Sequence, residues 1–380
     1  MKIISKIFSF LGCINFNNPK KEKIVIFDKE GSDVIIKTVL HDLPYVILPA
    51  RGEQYFFSIQ IIFRWLIKFR PLDLINKRIN LENNYYLSCI EYIKPVIVIT
   101  VVENNYSFQG ASKNFPDAVF VAIQNGRRSN QPLWDHLTVV GDEKLRHHLP
   151  HFFCFGQNDV DQYQKFGHTI YQAYPVGSLK AGYYRSYVDP DKLQCSFDIC
   201  LISQYRESIL EWGQFPEIKK GLLILFEYLR QFAQENEVRF CVALSYRSEK
   251  EQTFYQTIFG EDVELIKQKP DSFFSSYEAI DASNVSLVLD STLGVEAFGF
   301  GKKILFCNFT GSTDYDINCT DFCKINIADY DCFSQKLKNL LLMDQNMFLK
   351  MTERHRNYLM NYNPDCPAHK VVRKLIENYL

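Results

Sequence analysis

This sequence predicts an α/β protein built on two doubly wound parallel sheets, and three observations carry the prediction. Short apolar runs rich in Val and Ile alternate with segments of helical spacing along most of the chain, the order expected where helices cross over between parallel strands. Several runs, such as residues 96–102, are apolar at nearly every position, which marks strands covered on both faces. At 380 residues the chain is long enough for two domains, each with its own core.

The elements follow in order. Residues 23–27 are a compact apolar run, followed by a polar turn, a helical pattern at 34–40 and a second strand at 45–48. Residues 56–70 mix Ile59, Phe63, Trp65 and Ile67 with Arg64, Lys68 and Arg70; a buried helix is the first reading, a basic amphipathic face on anionic lipid the second. Strands at 96–102 and 118–123 end in Glu103-Asn104-Asn105 and Gln124-Asn125-Gly126-Arg127-Arg128. In a parallel sheet both polar tips fall on the carboxyl edge, where open α/β sheets bind ligands. A strand at 151–155, a helix at 159–166 and a strand at 170–176 lead to Gly177-Ser178, and Asp189-Pro190-Asp191 reads as a linker turn.

Beyond it, strands at 198–203, 238–244 and 263–266 alternate with helices at 221–235, 250–259 and 276–282. Residues 284–308 then form the unit that organises the carboxyl half: a strand at 285–289, the capping residues Asp290-Ser291-Thr292, a short helix, and a strand at 304–307. Closing helices at 332–342 and 345–362 are broken by Asn363-Pro364-Asp365 before a last helix at 369–380. The expected division is 1–180, 181–362 and a closing helix at 363–380.

Composition excludes several classes. With 43 basic and 44 acidic residues the net charge is −1, so no global field points to nucleic acid. A 47% hydrophobic content with 31 Phe and 22 Tyr excludes disorder and implies aromatic cores or sugar-facing surfaces. Eleven cysteines without Cys-x-x-Cys pairs fit buried thiols in a reducing compartment. Cys319 and Cys323 with His355 and His369 lack the tight ligand pairs of a zinc site. No apolar run of about eighteen residues is present, and residues 1–16 read as an interfacial helix or a frayed terminus rather than a signal peptide.

At the 290–292 tip, the first N–H groups of the following helix lack intrahelical acceptors and carry the positive end of its dipole, so a phosphate is well placed there. Ser291 and Thr292 would add hydroxyl donors, and Glu296, one turn on, would reach a ribose hydroxyl. An ordinary N-cap is the competing reading of Asp290-Ser291-Thr292. Two further tips fall on the same edge, Ser203 to Arg206 and Ser245 to Ser248. Arg247 and Arg206 are the phosphate candidates because a guanidinium donates two parallel hydrogen bonds; surface pairing with Glu249 or Glu207 is the alternative.

An apolar strand ending in Asp290-Ser291-Thr292, then Glu296-Ala297, then Gly301-Lys302-Lys303 and another strand resembles the donor segment of GT-B glycosyltransferases. The chain is most similar to bacterial surface-carbohydrate transferases, the group that includes capsule Kdo transferases and CDP-glycerol glycerophosphotransferases. Phe155-Gly156, Gly167 and Pro175-Val176-Gly177-Ser178 resemble the crossover between their two domains. The resemblance implies two Rossmann-like domains facing a cleft, with nucleotide in the carboxyl half, where Ser178 would join the phosphate ligands, and acceptor in the amino half. Asn104, Gln124, Asn125, Gly126 and Arg127 then fall on the acceptor side. In the CDP-glycerol enzymes a histidine precedes the glycine of this tip; here Asn125 stands there and cannot take a proton. Glu103 at the neighbouring tip is the catalytic candidate, as base or nucleophile, against an N-cap or a salt bridge to Arg127. His136, His147, His148 and His151 are alternative bases.

The expectation is therefore a metal-independent glycosyltransferase with no bound cofactor. It would move a sugar from a nucleotide-activated donor, CMP-Kdo or a UDP-sugar, to a surface polysaccharide or lipid-linked glycan. Its expected place is the cytoplasm, with peripheral contact at the inner membrane face left open. A nucleotide-sugar 2-epimerase and a non-catalytic glycan-binding protein are the alternatives.

Overall fold

The computed structural model describes residues 14–15, 17–48, 55–56, 58–68, 81–128, 139–140, 143–144, 148–188, 195–245, 248–269 and 274–380. Arg247, His136, His147, the Asp189-Pro190-Asp191 turn and most of segment 1–16 lie outside the described residues.

The fold is α/β, with two six-stranded, wholly parallel sheets. The first sheet holds β1 (Ile24–Phe27), β2 (Tyr45–Leu48), β3 (Ile97–Thr100), β4 (Val119–Ile123), β5 (His148–Cys154) and β6 (Thr169–Pro175) in the order β6-β5-β4-β3-β1-β2. The second holds β7 (Phe197–Ile202), β8 (Phe240–Ala243), β9 (Glu264–Ile266), β10 (Ser283–Val288), β11 (Lys303–Cys307) and β12 (Lys324–Ile325) in the order β9-β8-β7-β10-β11-β12. In each sheet the winding reverses once, between β1 and β3 in the first and between β7 and β10 in the second. Outside such a reversal, at the carboxyl ends of the strands, open α/β sheets leave a crevice.

The helices are α1 (Ser32–Thr38), α2 (Ile59–Lys68), α3 (Leu81–Ile93), α4 (Tyr106–Asn114), α5 (Gln157–Lys165), α6 (Leu179–Tyr187), α7 (Glu207–Leu210), α8 (Pro216–Asn236), α9 (Glu249–Phe259), α10 (Ser275–Asp281), α11 (Thr292–Gly299), α12 (Tyr330–Leu342), α13 (Gln345–Leu359) and α14 (Ala368–Glu377). Alternation along the strands divides the first core into two layers. Val25, Phe27, Val98, Phe120 and Phe152 face α3, α4 and α5, while Ile24, Ile26, Ile97, Ile99 and Val121 face α1 and α14. The abundant aromatics fill the interior: Tyr163, Tyr184, Tyr255 and Phe226 are among the largest fully buried side chains. Ten described cysteines are free thiols, seven of them buried.

Four helices were not legible in the sequence: α3, α4, α6 and the single turn α7. The α3 segment is rich in Asn, Ser and Tyr, weak helix formers, and is held by burial of Tyr86, Cys89, Ile90 and Ile93. Asn105 caps α4 by accepting from the Ser107 and Phe108 amides at 2.9 and 3.4 Å. Ser178 caps α6 through Ala181 N–H, so a helix runs across the expected boundary at 180.

The last helix returns to the first sheet: Val372 and Ile376 enter its core, and Arg373 donates to the Val39 carbonyl at 2.8 Å. On the way, Asn361 N–H bonds the Phe155 carbonyl (2.8 Å) and its side chain the Pro175 carbonyl (2.7 Å). Among the described residues no helix is long and apolar enough to cross a membrane.

Candidate functional site

Two pockets lie along the cleft between the sheets. The first, of about 220 Å³, opens at the reversal of the second sheet and is lined by Gln204 and Arg206 after β7, Ser245 after β8, Asp290 to Thr292 after β10, and Arg127 from the first sheet. The second, of about 350 Å³, opens at the reversal of the first sheet, between Gly31 after β1, Val101 after β3, Asn125 after β4, the crossover residues Ser178 to Lys180, and Glu296.

Side-chain hydrogen bonds pin the tips around the first pocket. Gln204 accepts from the Leu289 and Asp290 amides at 2.8 and 3.1 Å and donates to the Asp290 carbonyl at 2.5 Å. Glu251, fully buried in α9, accepts from Ser203 Oγ at 2.5 Å and from Ser245 N–H at 2.8 Å. The pattern Ser248-x-x-Glu251 reads as a capping box in sequence, yet Ser248 makes no side-chain cap and the glutamate ties two strand ends together. Ser291 Oγ caps α11, accepting from Leu293 N–H at 3.3 Å.

Arg127 crosses from the first sheet into this pocket. Its guanidinium pairs with the Asp290 carboxylate and donates to the Asp316 carbonyl at 3.0 Å, while its amide donates to Thr292 Oγ1 at 2.8 Å. Burial draws its pKa down to about 10, against the pull of Asp159 and Asp316, so it stays charged at neutral pH.

In the second pocket Glu296 is 5% exposed. It accepts from Ser178 Oγ at 2.5 Å and Tyr277 Oη at 2.7 Å. Burial raises its pKa, opposed by the Ser178 bond, the Lys180 charge and the Tyr277 bond. Lys180 beside it is shifted down by burial, against the pull of Glu296.

The structure thus brings Arg206, Asp290, Ser291 and Thr292 to one pocket and Ser178, Glu296, Gln124 and Asn125 to the other. Arg127, expected on the acceptor side, points instead into the pocket at the β10 tip. Gly126 packs against the same tip: a Cβ there would stand 3.3 Å from Thr292 Oγ1. Gln124 is a buried strut, donating to Asp159 at 2.8 Å and accepting from Phe155 N–H at 3.1 Å. Asn104 is half-buried just past β3 and lines neither pocket.

Glu103, the catalytic candidate, lines neither pocket. Its side chain has no exposed surface, pairs with Arg128 and accepts from Tyr163 Oη at 3.2 Å. The adjacent arginines diverge, and Arg128, not Arg127, takes the carboxylate. His148 and His151 sit at the start and the middle of β5, away from its carboxyl end, and His151 Nδ1 lies 3.0 Å from Tyr174 Oη. Residues that sequence reading passed over are Arg128, Lys180, Glu251 and Tyr277; none carries a local pattern that reveals its partner.

A family model described as "putative O-antigen biosynthesis protein" matches residues 121–323, from β4 to the turn before β12. No curated protein matches the sequence. Among solved structures, the chain is similar to MnaA of S. aureus in complex with UDP, with a TM-score of 0.56 at 14% identity over 94% of this chain and 96% of that one. It is similar to the UDP-GlcNAc 2-epimerase of Neisseria meningitidis bound to UDP-GlcNAc, at 0.53 and 11% over 93% and 99%. The Methanocaldococcus jannaschii UDP-GlcNAc 2-epimerase, in complex with UDP-GlcNAc and UDP, stands at 0.51 and 11% over 93% and 99%. At these identities the likeness is one of fold, the GT-B arrangement of two facing Rossmann-like sheets.

Proposed function

The chain belongs to that O-antigen biosynthesis family, and we propose that within it the protein is a nucleotide-sugar-dependent glycosyltransferase acting on a surface polysaccharide or lipid-linked glycan. The observation that carries this reading is the pair of separate pockets, one at the reversal of each sheet. Transfer needs two substrates held at once; an isomerisation needs one.

The donor's phosphate sits at the α11 amino terminus, met by the Ser291 and Thr292 hydroxyls and by Arg206. An acceptor hydroxyl in the second pocket attacks the anomeric carbon as the bond to the phosphate oxygen breaks. The charge left on the phosphate is balanced by the helix dipole and arginine, which supports a reaction that does not depend on a metal. The proton of the acceptor passes to a carboxylate lining the second pocket, Glu30 or Glu296. CMP-linked ulosonic sugars such as CMP-Kdo and UDP-sugars are the proposed donor classes.

The test is thermal-shift binding of CMP, CDP, UDP and GDP to the wild type and to a Ser291→Ala/Thr292→Ala variant. Ligand that binds the native state raises the melting temperature by mass action. One nucleotide is expected to stabilise the wild type and to lose most of that shift in the variant. No shift with any nucleotide at millimolar concentration would overturn the reading. The second reading, a nucleotide-sugar 2-epimerase, is the activity named for at least five of the fold neighbours. Turnover of UDP-GlcNAc without an acceptor would select it.

A further inference from the structure

Arg127 belongs to the first sheet by sequence and to the second sheet's pocket by position. It follows β4, yet its side chain is 10% exposed within the pocket at the β10 tip and is paired there with Asp290, whose side chain is 22% exposed. Arg206 and the Ser291 and Thr292 hydroxyls line the same pocket. A carboxylate therefore pairs with the guanidinium in a pocket that two hydroxyl-bearing residues at a helix amino terminus also line. That set of groups is complementary to a phosphate, with its greater charge and larger number of acceptor oxygens.

We propose that Arg127 is a donor-phosphate ligand supplied across the cleft, and that the Asp290 carboxylate is its internal stand-in, displaced when the phosphate group of a nucleotide binds. The inference rests on the nucleotide reading of this pocket. It adds that the opposite sheet completes the site, so nucleotide binding and approach of the two halves are linked. The anchors are already in place: the Arg127 amide holds Thr292 Oγ1, and its guanidinium holds the Asp316 carbonyl, which does not compete for charge. Asp290 is free to leave its partner without disturbing the tip, because Gln204 holds the backbone of that residue through both its N–H and its carbonyl. The ionisable groups facing Arg127 are Asp290 on the β10 tip, Asp159 on α5, and Asp316 and Cys319 after β11.

The experiment compares binding of CMP, CDP, UDP and GDP by calorimetry to the full-length wild type, Arg127→Ala, Arg127→Lys and Asp290→Asn. For the nucleotide that binds the wild type, both Arg127 variants are expected to bind roughly tenfold or more weakly, since a charge-assisted contact is lost or reduced to a single point of attachment. Asp290→Asn is expected to bind several-fold more tightly, because the competing anion is gone. A purely structural ion pair predicts the same direction of change from losing either partner; the opposite signs are specific to the proposal. Wild-type affinity in Arg127→Lys, or weakened binding in Asp290→Asn, overturns it while leaving nucleotide binding intact. Failure of every nucleotide to bind the wild type would instead remove the reading on which it rests. Arg127→Lys and Asp290→Asn preserve bulk, so the test does not depend on the alanine variant folding.

Discussion

Ser178 Oγ donates to Glu296 Oε1 at 2.5 Å, joining the crossover between the two sheets to the helix that follows β10, 118 residues on. The same hydroxyl oxygen accepts from Ala181 N–H at 3.2 Å and caps α6. Ser178→Ala therefore removes a helix cap and one of two donors to a buried carboxylate. The expected cost is about 2 kcal/mol, read as a lower melting temperature, while Ser186→Ala on the same helix, whose hydroxyl only returns to the Gly182 carbonyl, costs far less.

Glycines before α5 and at the end of α11 are set by contact with segment 358–361. A Cβ on Gly156 would lie 2.2 Å from the Tyr358 carbonyl oxygen, and one on Gly299 2.3 Å from Met360 Cγ. The first meets only backbone, Leu359 included at 2.7 and 2.9 Å, whereas the second meets the stem of one side chain, so Gly156→Ala is expected to be the more damaging, by at least about 2 kcal/mol. Gly110, within α4, has nothing within 4 Å of such a Cβ; Gly110→Ala should stabilise by roughly 0.5–1 kcal/mol. Thermal melting of the three variants checks the order.

Burial pushes the Asp159 carboxyl up to about 6, against the Gln124 and Gly156 hydrogen bonds that favour its charged form. The folded chain then holds a proton that the unfolded chain, near the ordinary value of 3.8, has already lost. This group's stabilising contribution is accordingly complete below about 4 and falls as pH rises to about 6. Asp159→Asn removes that dependence. The wild-type melting temperature minus that of the variant should decline between pH 4 and 6.5, and a difference that rises over this range would contradict the sign.

Glu103→Gln is expected to act on stability before chemistry. Its carboxylate pairs with Arg128 and has no exposed surface. Neutralising one partner of a buried pair leaves the other charge uncompensated, at a cost of about 3 kcal/mol. A melting temperature unchanged from the wild type would show that the carboxylate is not held in this pair in solution.

Much of the fold was legible because it is written locally. A strand covered on both faces must be apolar at nearly every position, as at Val98 and Ile99, and a crossover helix must repeat its apolar residues at helical spacing, as at Leu222, Leu225, Phe226 and Leu229. The polar tips at 124–128, 203–206 and 290–292 were legible for the same reason, since a tip is where such a run stops. The α3 and α4 helices were not, because Asn, Ser and Tyr segments become helical only when a sheet is there to cover them.

By itself, then, the sequence determined the alternation of strand and helix, the two parallel sheets and the residues at each strand end. Only the tertiary structure decided which of those ends meet. Arg127 and Arg128 are adjacent and chemically identical, yet one reaches Asp290 across the cleft and the other turns back to Glu103. Strand order and the approach of the two halves set those partners over separations as long as the 189 residues between Arg127 and Asp316. No local pattern encodes such pairings, because the free energy that selects a charge partner comes from desolvation and geometry that exist only once the chain is folded.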